Sequence, residues 1–125
     1  MDVLHLQQVA QHAIDLDRAV AFYRDVVGLT HVATFNPPGL AFFSMGATRL
    51  LLDLGAPSSL FYLGVENVEA ATERLRAAGV VIVTEPHIIF VDETGLFGPA
   101  GYVETMAFFR DSEENLVGLV SRRPA

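Results

Sequence analysis

DLDRAVAFYRDVVGL (Asp15 to Leu29) and VENVEAATERLRAAGV (Val65 to Val80) read as one device written twice: a polar cap, an amphipathic helix and a terminating glycine. In the first copy Asp15 can accept the backbone N–H groups left free at a helix start. Leu16, Ala19, Val20, Tyr23, Val26 and Val27 then recur at three- and four-residue spacing, and Gly28 supplies a residue tolerant of left-handed backbone. The spacing predicts a helix over 16–27. In the second copy Asn67 is the cap, Val68, Ala71, Leu75 and Ala78 form the apolar stripe, and Gly79 closes it.

Strand-like runs surround both helices in the same order. QVAQHAI (Gln8 to Ile14) precedes the first helix, and THVATF (Thr30 to Phe35), LAFFSM (Leu40 to Met45) and TRLLLDL (Thr48 to Leu54) follow it. LFYLGVE (Leu60 to Glu66) precedes the second, followed by VVIVTE (Val80 to Glu85), ETMAFFRD (Glu104 to Asp111) and NLVGLVS (Asn115 to Ser121). The word AFF recurs at Ala41 to Phe43 and Ala107 to Phe109. A repeated βαβββ unit leaves each half with a sheet face that needs a cover. The expected fold is α+β: a single domain over 1–125 in which two βαβββ modules, about 5–55 and about 59–122, pair into a curved mixed sheet that encloses a pocket. IIFVDETGLFGPAG, between His87 and Tyr102, breaks the symmetry and reads as a long loop, either a lid or a surface excursion.

Bulk properties exclude several functions. A chain of 125 residues, 51% hydrophobic, can bury a core without staples. A net charge of -7 offers no electrostatic footprint for nucleic acid or an acidic membrane surface. Without cysteine there is neither a disulfide nor a thiolate metal site, which suits a reducing cytoplasm. The N-terminal residues lack the pattern of a signal peptide, and no apolar run reaches the roughly 18 residues of a spanning helix.

The two helix words, together with MAFFRDSEENLVGLV (Met106 to Val120), resemble the signatures of the vicinal oxygen chelate superfamily, which includes glyoxalases, bleomycin-resistance proteins and extradiol dioxygenases. LQQVA (Leu6 to Ala10), EPHII (Glu85 to Ile89) and MAFFRD also resemble a bacterial subgroup of that superfamily with no assigned reaction. Thr105 stands where that subgroup carries a Trp. The resemblance covers nearly the whole chain and implies the duplicated fold, a small-molecule site and a homodimer. It does not select among lyase, isomerase, dioxygenase and binding protein.

The resemblance also implies four positions for a divalent metal, one from the first and one from the last strand of each half. Here they fall on Gln8, on Leu51 or Leu52, on Leu60 and on Gly118. Only Gln8 has a donor atom, whereas catalytic metal sites usually have about three protein ligands. The expectation is therefore no cofactor. The alternative is a divalent metal ion in a rebuilt site, since strand alternation puts His12 on the face of Gln8, with Asp53 or His87 as further donors. Against that, His12 lies near the helix start, where an ordinary structural hydrogen bond is a sufficient reason for it.

Other candidates surround the expected pocket. His87, beside the asymmetric loop, and Glu104 are candidate acid–base groups, each with an ordinary surface role as the alternative. His5 and His31 read as surface. Phe43, Leu52, Leu60, Tyr62, Tyr102, Met106 and Gly118, with Gln8, His12 and His87, form the expected ligand-binding set. Aromatic rings beside a glycine suit a small apolar or aromatic ligand. Three functions follow as expectations: metal-free binding of such a ligand, a lyase, isomerase or dioxygenase with a rebuilt site, and a chain that mainly self-assembles.

Overall fold

The computed structural model describes all 125 residues. The order is β1 (Gln8–His12), α1 (Leu16–Ala21), a π-helical stretch (Phe22–Val27), β2 (Thr30–Phe35), β3 (Leu40–Met45), β4 (Thr48–Asp53), β5 (Tyr62–Gly64), α2 (Val68–Ala77), β6 (Ile82–Asp92), β7 (Tyr102–Arg110) and β8 (Leu116–Pro124). The fold is α+β, built from two similar modules. Each has its own four-stranded mixed sheet, ordered β1-β4-β3-β2 and β5-β8-β7-β6. Neither sheet closes. No helix is long and apolar enough to cross a membrane.

The chain packs as two units, residues 1–59 with 111–115, and residues 60–110 with 116–125. In unit 1, Asp15 caps α1 by accepting the Arg18 N–H at 3.1 Å. Leu16, Ala19 and Val20 of α1 are buried, as are Ala41, Phe43, Leu50 and Leu52 of the sheet. Beyond Ala21 the backbone widens into the π-helical stretch, and the N–H groups of Gly28 and Leu29 both reach the Tyr23 carbonyl. Apolar spacing alone does not separate this winding from an α-helix, so the expected 16–27 helix is two segments.

The five residues 111–115 hold unit 1 together through polar contacts. The fully buried Tyr23 donates its hydroxyl proton to Asp111 at 2.6 Å. Its pKa is raised well above the ordinary value, first by burial and then by the Asp111 charge. Glu113 is also buried: its carboxylate accepts the N–H groups of Ile14 at 2.8 Å and Asp15 at 2.7 Å, the Arg18 guanidinium at 2.8 Å and the Ser112 hydroxyl at 2.8 Å. Asn115 donates to the His12 carbonyl at 2.7 Å. Buried Gln11 both donates to and accepts from the Ser59 backbone, which ties the chain after β4 to β1.

In unit 2, Asn67 caps α2 through the Ala70 N–H at 2.9 Å, and the helix buries Val68, Thr72 and Leu75. Ala107, Phe109, Val117 and Leu119 are buried on one sheet face. The expected long loop is shorter than its sequence implied. Ile88 to Asp92 extend β6, with Ile88 opposite Thr105, Phe90 opposite Glu104 and Asp92 opposite Tyr102, so the loop spans only 93–101. Its anchor is Asp92, which is fully buried and accepts the N–H groups of Gly95 at 3.0 Å, Leu96 at 2.7 Å and Phe97 at 2.9 Å, plus Arg122 at 2.7 Å.

Burial pushes the Asp92 carboxyl up, but the backbone N–H groups and the Arg122 guanidinium outweigh it and bring it down to about 2. A depressed carboxyl stabilises the fold above its unfolded pKa, and that contribution is lost as pH falls toward 2. Asp92→Asn removes the charge and turns a donor toward donors. Hydrogen exchange at Gly95, Leu96 and Phe97 is expected to accelerate roughly tenfold or more. Unchanged exchange would show that the loop does not depend on this carboxylate.

Candidate functional site

Strand register shows which candidates share a face. In unit 1, Ala10 lies level with Leu51, which opposes Phe42. In unit 2, Tyr62 lies level with Gly118, which opposes Phe108. The two triplets occupy matching places in the duplicated modules. This resolves the choice at the last strand of the first half: Leu51, not Leu52, is the counterpart of Gly118.

Two expected ligand contacts are corrected by the same register. Leu52 and Phe43 are fully buried, 0% exposed, on the face that carries Ala41 and Leu50. Both pack in the core of unit 1. The opposite face of this sheet carries Gln8, Ala10 and His12 of β1 with Arg49, Leu51 and Asp53 of β4. Gln8 accepts from the Arg49 guanidinium at 3.1 Å. His12 is half-buried and level with Asp53, and its Nδ1 is buried without a hydrogen-bond partner, so the structural hydrogen bond that would explain this ring is missing. Asp53 turns its carboxylate to the Gly55 N–H at 2.8 Å.

The unit 2 sheet brings most of the remaining candidates together on the face opposite its buried core. Tyr62, Gly118 and Phe108 stand in one row, His87, Met106 and Val120 in the next, then Phe90, Glu104 and Arg122, and finally Tyr102. The Tyr62 ring lies against Gly118 and meets Phe108 edge-on, with centroids 5.7 Å apart. A methyl group at Gly118 would come 2.8 Å from Tyr62 Cε2, far inside van der Waals contact. Glycine is therefore what lets the ring lie flat on the sheet. Tyr62 remains 47% exposed, so one side of the ring is available. Leu60, just before β5, is half exposed.

The charged groups on this face are less suited to catalysis than their sequence context implied. His87 is exposed, and its Nδ1 lies 3.0 Å from the Glu85 carbonyl, with no carboxylate to orient it. Glu104 is half-buried and makes no ion pair with Arg122, although the two are register partners. Arg122 instead serves Asp92 and the Pro99 carbonyl and lies over the Tyr102 ring at 5.5 Å. Sequence reading missed both Asp92 and Arg122. The signal was present in Asp92-Glu93-Thr94-Gly95, an acidic side chain placed to accept from the turn that follows it. His31, expected at the surface, is half-buried with its ring 5.3 Å from Phe43, because the residue opposite Phe43 on β2 is drawn toward the core.

The residues at the implied metal positions do not fit a metal. Leu51, Leu60 and Gly118 have no side-chain lone pair, the Gln8 amide oxygen is engaged by Arg49, and no three His, Asp or Glu side chains gather to hold an ion.

Comparison with known proteins places the chain. Residues 5–119 match the family described as the Glyoxalase/Bleomycin resistance protein/Dioxygenase superfamily. Among solved structures, a lactoylglutathione lyase from Agrobacterium tumefaciens is 24% identical with a TM-score of 0.69, over 94% of this chain and 92% of that one. An integron cassette protein from the mobile metagenome of V. cholerae is 22% identical with a TM-score of 0.72, over 97% of both chains. A superfamily member from Sphaerobacter thermophilus is 16% identical with a TM-score of 0.74, over 95% and 98%. At these identities the likeness shows the fold. A search of curated proteins finds no match. The match across both modules, with the duplicated register, makes this chain a member of the Glyoxalase/Bleomycin resistance protein/Dioxygenase superfamily.

Proposed function

We propose that the chain binds a small apolar or aromatic molecule on the Tyr62 face of the unit 2 sheet, without a metal. The observation that supports this reading most is the Tyr62–Gly118 pair: a half-exposed ring held flat by a glycine, flanked by Phe108 and Met106. Aromatic surface of this kind favours flat, greasy ligands through contact area and edge or offset stacking. Glu104 and His87, on the same face, would orient a polar substituent rather than drive a reaction. In this reading the protein works as a homodimer in a reducing compartment such as the cytoplasm. The apolar residues exposed along edge strand β6, Ile89 at 47% and Val91 at 45%, support self-association.

The test is an NMR titration of the full chain with indole and naphthalene derivatives, together with light scattering. Saturable shifts at Tyr62, Met106, Phe108 and Gly118 and a dimeric mass are expected. Shifts scattered over the surface, or none, would reject the site, and a monomer at high micromolar concentration would reject the dimer. A second reading, a lyase, isomerase or dioxygenase with a rebuilt site, draws on the unpartnered His12 Nδ1 level with Asp53. It requires His12→Ala to abolish turnover of any substrate found.

A further inference from the structure

The two modules match in element order but not in strand length. β6, β7 and β8 run for 11, 9 and 9 residues, whereas β2, β3 and β4 have 6 each. At the N-terminal end of α2, where this extra sheet continues, there is a cavity of about 270 Å³ lined by Glu69, Ile88, Val103, Thr105, Ser121 and Arg123 among others. Nothing in the duplicated plan calls for it, since the first module has no such extension.

The polar groups in this cavity lack protein partners. Ser121 is only 3% exposed, yet its hydroxyl makes no hydrogen bond within the protein, and neither does that of Thr105, its register partner. Neither hydroxyl is sealed from solvent, so each is free to bond what enters the cavity. Glu69 and Arg123 border the same cavity and form no ion pair with each other or with any other residue. Opposite charges thus flank two hydroxyls open to the cavity, while Ile88 and Val103 provide an apolar wall.

We propose that this cavity is a second binding site, for a small zwitterion of the free amino-acid type with an aliphatic side chain. The ligand carboxylate meets the Arg123 guanidinium, the ammonium meets Glu69, Ser121 and Thr105 hydrogen-bond to the polar end, and the aliphatic group lies on Ile88 and Val103. Charge-assisted hydrogen bonds at both ends give selectivity over molecules carrying one charge. Thr105 and Ser121 point to the sheet face opposite Met106 and Val120, so this site stands independently of the Tyr62 face.

The experiment is an NMR titration of the full chain with L-leucine, with isocaproate as the carboxylate-only analogue and isoamylamine as the ammonium-only analogue. L-leucine is expected to shift the amides of Thr105, Ser121 and Arg123 saturably, and each analogue to bind roughly tenfold more weakly or worse. Glu69→Gln and Arg123→Gln, both at accessible positions, are each expected to weaken L-leucine by about tenfold, while Tyr62→Ala leaves its binding unchanged. No saturable shift, equal binding of a single-charge analogue, or indifference to both substitutions would overturn the proposal.

Discussion

Glu113→Ala is expected to lower the stability of the chain by about 3 kcal/mol, the sum of several lost hydrogen bonds to a buried charged group. Glu113 is 2% exposed, and its carboxylate accepts from Ile14 N–H, Asp15 N–H, Arg18 and Ser112. Alanine leaves both backbone donors unpaired just where α1 begins, so the cost falls on the helix start. The Arg18 pairing adds less than its geometry suggests, because that side chain is 51% exposed and water competes for it. Urea denaturation at neutral pH measures the loss, and a change below about 1 kcal/mol would mean that water replaces the carboxylate without difficulty.

The pH dependence gives a second readout of the same contact. Burial pushes the Glu113 carboxyl up, but Arg18, the Asp15 N–H, Ser112 and the Ile14 N–H outweigh it and hold the group below its ordinary 4.5. Its stabilisation is therefore present above 4.5 and lost as pH falls through the lower folded value. The stability gap between wild type and Glu113→Gln is expected to narrow in that acid range and to stay constant above it.

Gly118→Ala is expected to weaken binding of a flat aromatic probe by roughly tenfold, as much as Tyr62→Ala does, since an aromatic contact contributes about 1 kcal/mol beyond its area. The added methyl cannot coexist with the ring, given the 2.8 Å approach to Tyr62 Cε2. Tyr62 is near the surface and free to swing outward, so the fold survives and the stacking surface is lost. If both substitutions act through the same ring, the double variant binds no more weakly than either single one. Additive losses would show that Gly118 contributes something other than room for Tyr62.

The duplication was legible because its signals are local. Asp15 and Asn67 cap helices, Gly28 and Gly79 end them, and AFF marks one strand twice. What could not be read were features set by distant partners. Leu51 and Leu52 are both apolar neighbours, and only pairing with Ala10 and Phe42 shows that Leu51 shares the face of Gln8. The glycines and the proline of residues 88–101 read as loop chemistry beyond Glu85, yet pairing with β7 carries β6 to Asp92. In the sequence Glu113 is one acid among several in Asp111 to Glu114. Its role depends on Ile14 and Asp15, almost a hundred positions away in the chain, which no local pattern encodes.

Metal content tests the central claim most directly. The chain, purified without chelator and incubated with zinc, nickel, manganese or iron(II), is measured by mass spectrometry of its bound elements and by thermal unfolding with and without EDTA. The residues at Leu51, Leu60 and Gly118 predict far less than one metal per chain and a melting temperature indifferent to the chelator. One tightly held ion per chain, lost in Gln8→Ala or His12→Ala, would contradict the account and restore a metalloenzyme reading.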